Sequence, residues 1–227
     1  MRSALVVPAA GRGDRLGADR PKALVPLAGV PLLVHALRRA TASGVVDVVV
    51  VVAPAGACDE VRELLAPVVA DAVVVPGGAE RQDSVRAGLA ALPEDVDVVL
   101  VHDAARCLTP APVFAAVVAA VRAGAPGVVP VVPVSDTVKR VAGERVVETV
   151  DRSELAAVQT PQGFSAPVLR AVHAAAPPGA SVTDDAGMLE ALGHPVVTVP
   201  GDERAFKVTR PLDLLLAEAL LDREVAP

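Results

Sequence analysis

The sequence predicts an α/β protein built on a doubly wound, mostly parallel sheet. Two observations carry that prediction. Apolar, Val-rich runs recur at 4–7, 46–52, 72–75, 97–101, 127–132 and 196–199, and helical patterns fall between them. The runs are continuous rather than alternating, as expected of strands buried on both faces. A third observation sharpens the class: the glycines and unusual polar residues cluster just after strands, where such sheets bind ligands.

The elements follow in order. Ala4 to Val7 is a short apolar strand that runs straight into Pro8-Ala9-Ala10-Gly11. A helix is expected over about 31–43, then the strand Val46 to Val52, closed by Ala53-Pro54-Ala55-Gly56. Helices at about 57–66 and 80–92 flank the strand at 72–75, which ends on Gly77-Gly78. The strand at 97–101 leads into Asp103 to Arg106, followed by a helix at about 111–123 and the strand at 127–132. Helices at about 165–176, 184–192 and 211–222 complete the pattern around the strand at 196–199. The whole reads as one Rossmann-like domain spanning 1–227. One segment departs from it: in about 135–152, Val138/Val141 and Val146/Val147/Val150 flank Ala142-Gly143-Glu144, a hairpin turn signal. A lone hairpin is marginal without a surface to pack on, so a protruding arm exchanged between subunits is expected. A flap lying on its own subunit is the alternative.

Composition narrows the function classes. Hydrophobic residues make up 52% but aromatics only 1%, so Val, Leu and Ala must build the core. A mean hydropathy of +0.50 raises the question of a membrane span, yet every apolar stretch is cut by a charge, Gly or Pro well short of the ~18 residues required. The N-terminus does not resemble a signal peptide, and a cytoplasmic protein is expected. A net charge of −6 argues against general nucleic-acid binding. Two cysteines, Cys58 and Cys107, read as free buried thiols, and the scattered histidines do not suggest a structural metal.

The first 22 residues carry the strongest chemical signal. Small residues in Pro8-Ala9-Ala10-Gly11-Arg12-Gly13 let backbone N–H groups approach a ligand, and Arg15 and Lys22 add two cations. A strand, a tight glycine loop and cations describe a site for a polyphosphate. A Walker loop would need a Gly-Lys pair, which is missing here. A dinucleotide site would need an acid after the second strand, where Ala53-Pro54-Ala55-Gly56 stands instead. An ordinary glycine-rich turn leaves Arg15 and Lys22 unexplained.

Further motifs follow in order along nearly the whole chain. They are Gly77-Gly78-x-x-Arg81-x-x-Ser84-Val85, Val101-His102-Asp103-Ala104-Ala105-Arg106, Asp136-Thr137-Val138-Lys139, Val150-Asp151-Arg152, Gln159-Thr160-Pro161-Gln162, Thr183-Asp184-Asp185 and Lys207-Val208-Thr209. With the first loop and Pro21-Lys22, this set resembles the 2-C-methyl-D-erythritol 4-phosphate cytidylyltransferases. The first loop alone would indicate only the wider nucleotidyltransferase superfamily.

The resemblance implies that CTP and 2-C-methyl-D-erythritol 4-phosphate give a CDP-alcohol and pyrophosphate. It implies Arg15, Lys22, Arg152 and Lys207 as catalytic residues. Pro8, Ala9, Ala10, Gly11, Gly13, Gly77, Gly78, Ser84, Asp103 and Ala104 are implied for CTP. Asp103, Arg106, Thr137, Arg152, Thr160 and Lys207 are implied for the second substrate. Mg²⁺ is the implied cofactor, with no dedicated protein site and Asp103 as the candidate ligand. A homodimer is implied, the arm residues Thr137 and Arg152 reaching the partner's site. Ala79 stands where relatives often carry an acid, so any base contact there must be backbone. Bland readings remain open: Asp103 as a helix cap, Arg152 paired with Asp151 or Glu154, Lys207 solvated, and Thr183-Asp184-Asp185 as a cap. Ribitol-5-phosphate cytidylyltransferases share most of these motifs, and a noncatalytic nucleotide-binding protein on the same scaffold is a further alternative.

Overall fold

The structure is a computed structural model that describes residues 1–11, 13, 16, 17, 20–176 and 184–225. Its centre is the sheet β10 (Ala156–Val158), β7 (Gly127–Pro133), β11 (Gln162–Ser165), β6 (Val96–Val101), β1 (Arg2–Pro8), β4 (Val48–Ala53), β5 (Val73–Pro76), in that order, with β12 (Val196–Pro200) also paired to β7, across it from β11. β1 (Arg2–Pro8) lies between β4 (Val48–Ala53) and β6 (Val96–Val101), and β5 (Val73–Pro76) lies beyond β4, all parallel. β7 (Gly127–Pro133) and β12 (Val196–Pro200) are also parallel to one another. The long apolar runs therefore form the strands expected of them, within about two residues at each end.

Alternation along each strand divides the core. Leu5, Val7, Val49, Val51, Val98 and Leu100 face one layer, built by α1 (Leu32–Ala42), α2 (Cys58–Leu65) and α4 (Ala111–Arg122). Ala4, Val6, Val50, Val52, Val99 and Val101 face the other. That second layer is built by α3 (Arg81–Ala90), α5 (Ala166–Ala175) and α6 (Asp185–Ala191). Both faces are covered, which is why the strands are apolar throughout. α7 (Pro211–Val225) closes a third cluster with Leu27, Leu32, Cys107 and Val208. Cys107 is fully buried, but Cys58 is only half-buried, so the expectation of two buried thiols holds for one. Among the described residues, no helix is long and apolar enough to cross a membrane.

Two short strands escape the sequence pattern. β10 (Ala156–Val158) and β11 (Gln162–Ser165) run antiparallel, and β11 inserts between β6 and β7. Only Phe164 of β11 is a large apolar side chain, so local periodicity could not reveal it. A minimal hairpin, β2 (Pro26–Leu27) and β3 (Val30–Pro31), also precedes α1.

The expected arm is present as β8 (Val138–Ala142) and β9 (Arg145–Val150), paired with each other and outside the main sheet. Its valines 141, 146 and 147 are each 61% exposed. A register shift between Arg140 and Val141 marks a bulge that adds twist.

Candidate active site

The ends of β1 and β6 and the start of α3 open onto one cleft. Pro8, Ala9, Ala10, Gly11 and Gly13 line one wall with Lys22. The loop is held by Ala9 N donating to Val52 O at 2.8 Å and Lys22 N donating to Gly11 O at 3.3 Å. Gly13 adopts φ +75°, and a Cβ there would lie 2.5 Å from Lys22 Cβ, so only glycine lets the lysine stem cross the loop. Arg15 lies outside the described residues.

Gly78 and Ser84 line the facing wall. Gly77 sits just behind, where a Cβ would lie 2.5 Å from Ala10 Cβ and 2.9 Å from Ser84 Oγ. The Ser84 hydroxyl is buried and braces the turn, accepting from Gly78 N at 3.3 Å and donating to Glu80 O at 3.2 Å.

Asp103 and Ala104 line the floor, and Lys207 and Thr209 close it from the chain before α7. Val208 N donates to Ala105 O at 2.8 Å and so pins Lys207 over the floor. Lys207 Nζ reaches Asp103 Oδ2 at 2.7 Å, which sets aside the solvated-strand reading of Lys207. The capping reading of Asp103 also falls, because α4 begins only at Ala111, behind Pro110. Burial works against the Asp103 charge, yet Lys207 and then Arg81 outweigh it and hold the carboxyl down to about 2. A carboxylate is therefore present in the cleft at any physiological pH.

Four of the expected substrate residues stand away from this cleft. Thr160 is buried behind Asp103, its Oγ1 accepting from Asp103 N at 3.0 Å and bonded to His102 Nδ1 at 2.9 Å. His102 is fully buried against Phe114, and burial drops its pKa to about 4, so the ring is neutral. Arg106 ties backbone carbonyls together, donating to Ala205 O at 2.7 Å and Val158 O at 3.1 Å. Thr137 and Arg152 lie exposed at the base of the arm. Arg152 donates to Ser135 O there, rather than pairing with Asp151 or Glu154.

Arg81 belongs to a sequence motif that assigns it no role, and it lines the cleft beside Asp103. Its position at the start of a helix following a glycine pair is the signal that could have marked it. Its partner Asp185 is 104 residues away, and no local pattern could have joined them.

A cleft at the carboxyl ends of parallel strands, with a glycine-lined wall and two lysines, Lys22 and Lys207, in its lining, defines a nucleotidyltransferase of Rossmann-like fold. The chain matches the profile of IspD, 2-C-methyl-D-erythritol 4-phosphate cytidylyltransferase, over residues 3–223. A protein with that same description in Streptomyces avermitilis is 55% identical, over 98% of this chain and 92% of that one. In Frankia casuarinae the identity is 56%, over 98% of this chain and 82% of the relative. The crystal structure of the Thermus thermophilus protein superimposes with a TM-score of 0.82 at 38% identity, covering 98% of this chain and 100% of that one. This chain belongs to the 2-C-methyl-D-erythritol 4-phosphate cytidylyltransferase family.

Proposed function

We propose that the chain transfers a cytidylyl group from CTP to 2-C-methyl-D-erythritol 4-phosphate, releasing pyrophosphate, as a step in isoprenoid precursor synthesis. The observation that carries this is the meeting of Lys22, Lys207 and the glycine-lined wall in one cleft. The acceptor phosphate oxygen attacks the α-phosphorus of CTP, and pyrophosphate leaves in line. Such a transfer needs alignment and charge neutralisation rather than a protein nucleophile. Lys22, whose stem crosses the glycine loop at Gly13, is read as the partner of the triphosphate. Lys207, on the other part of the lining, is read as the partner of the acceptor phosphate. The backbone of Ala9, Ala10, Gly77 and Gly78 suits the flat edge of a cytosine, whose amine and carbonyl need partners in fixed positions.

Asp103 fits a divalent cation as a single carboxylate on the cleft floor, the remaining ligands being phosphate and water. Its Oδ1 is 3.7 Å from Arg81 Nε, beyond hydrogen-bonding range, and so retains acceptor capacity. When bound, Mg²⁺ would offset and align the triphosphate charge.

The acceptor half of the site is proposed to be completed by a second copy in a cytoplasmic homodimer. Support comes from the arm, whose valines 141, 146 and 147 each stay 61% exposed. Thr137 and Arg152 are not among the residues lining their own cleft, which fits the same reading. The test is pyrophosphate release measured with each of the four NTPs against methylerythritol phosphate and ribitol 5-phosphate. Preference for CTP with methylerythritol phosphate is expected. Equal or better turnover of ribitol 5-phosphate, or indifference to the base, contradicts the assignment.

A further inference from the structure

Three helices far apart in sequence bring one polar side chain each to a point behind the cleft. Asp185, the first residue of α6, is fully buried. Its Oδ1 lies 3.0 Å from His173 Nε2 on α5, and its Oδ2 accepts from Arg81 Nη1 on α3 at 2.7 Å. Capping does not explain it, because the preceding Asp184 caps α6, accepting from Gly187 N at 2.9 Å. Asp184 also accepts from Gln162 Nε2 at 2.6 Å, which ties the helix start to β11. A buried carboxylate is costly unless paired, so the pair with Arg81 needs a reason beyond helix initiation.

That reason lies on the other edge of the guanidinium. With Nη1 fixed by Asp185, Arg81 turns Nε toward Asp103 Oδ1 at 3.7 Å. Lys207 holds the opposite oxygen at 2.7 Å. Asp103 therefore sits between two cations, one anchored from behind and one 42% exposed at the cleft mouth. Burial works against the Arg81 charge, but Asp185 and then Asp103 reverse the balance and raise its pKa. Burial likewise opposes the Asp185 charge, and His173 and Arg81 outweigh it.

We propose that Asp185 is a positioning residue for the transfer: it anchors Arg81 beside Asp103, so that Lys207 can leave Asp103 for the acceptor phosphate. The proposal rests on the reading of the cleft given above. Until a cation binds, were Lys207 the sole counter-ion of Asp103, its departure would leave a largely buried carboxylate unpaired, a costly state. With Arg81 in place, Asp103 keeps a counter-ion throughout. The planar guanidinium suits this bridging role because its donors are fixed relative to one another, whereas a lysine is a point charge.

The test is steady-state kinetics and thermal unfolding of the full chain, using CTP and methylerythritol phosphate. Four variants are compared: Asp185→Asn, Arg81→Gln, their double variant, and Arg81→Lys. Asp185→Asn should raise KM for methylerythritol phosphate about tenfold while KM for CTP stays within about twofold. Arg81→Gln should do the same, and adding Asp185→Asn to it should raise the acceptor KM no further, because one residue acts through the other. Arg81→Gln alone leaves a buried carboxylate short of a partner and should lower Tm. The double variant should regain Tm without regaining KM, which separates positioning from stability. If Asp185→Asn does not fold, Arg81→Lys carries the test and should show the raised acceptor KM. The proposal is overturned by an unchanged acceptor KM, by an equal rise for CTP, by recovery of KM with Tm, or by wild-type kinetics in Arg81→Lys. No pyrophosphate release by the unmodified chain would instead overturn the reading of the cleft, and the proposal with it.

Discussion

The nucleotide cleft and the β8–β9 arm are opposite kinds of structure within one chain. In the cleft, Asp103 is held by Lys207 at 2.7 Å, and its backbone N–H is held by Thr160. Behind it, the buried Asp185 fixes Arg81. Among the described residues, the arm has its own ladder, an exposed Arg140–Glu148 pair, a Lys139–Thr149 hydrogen bond and three valines facing water. An exposed ion pair of that kind contributes at most ~1 kcal/mol, and an isolated hairpin is marginal. The difference separates a region braced within one chain from one that is not. On the proposed reading, the triphosphate region is assembled within the subunit, whereas the arm waits for a surface proposed to come from a second copy.

The contrast can be broken most severely at Lys22. If the cleft is preassembled around charge that grows in the transition state, Lys22→Ala should lower kcat by at least ~10² while the fold is retained. Stopped pyrophosphate assays together with circular dichroism check both halves of that statement. Near-normal kcat would make Lys22 a solvated surface residue.

The arm offers the next largest effect. Val146→Asp with Val147→Asp should abolish dimers on gel filtration and cut turnover at least ~10-fold, because apolar anchors carry association. CTP binding by titration calorimetry should persist, since the proposed nucleotide half is built from one chain. Loss of CTP binding, or full activity in a monomer, would erase the distinction between the two regions.

How much of this is legible in the sequence follows the same division. The Val-rich strands are readable because burial on both faces leaves no polar interruptions, as in Val48 to Val52. Gly13, Lys22, Asp103 and Lys207 stand out because they sit in distinctive motifs at strand ends or before α7. β11 is hidden, since a four-residue strand containing one phenylalanine carries no period. Asp184 and Asp185 look alike as caps in sequence, and only folding separates them into one cap and one buried counter-ion. Thr160 has its motif, but its hydroxyl serves the Asp103 backbone rather than the cleft surface.

A smaller effect concerns the buried support of the cleft. His102 is neutral in the folded chain, its pKa lowered by burial from 6.5 to about 4. The unfolded chain therefore binds the extra proton first as pH falls. Stability should be fully present above about pH 6.5 and decline toward pH 4, by on the order of 3 kcal/mol at most. Urea unfolding at pH 7 and pH 5 measures it, and His102→Gln should flatten the slope. A slope unchanged in that variant would assign the titration elsewhere.

The central claim, that each site joins one chain's cleft to the other chain's arm, is tested most directly by mixing. Lys22→Ala and Arg152→Ala homodimers should each be nearly inactive. After unfolding and refolding them together, about half the dimers are mixed, and each mixed dimer holds one site with both residues intact. Activity should then return to about a quarter of wild type, in a sample that elutes as dimers. If both residues serve the same subunit's site, every site in the mixture stays damaged and no activity returns.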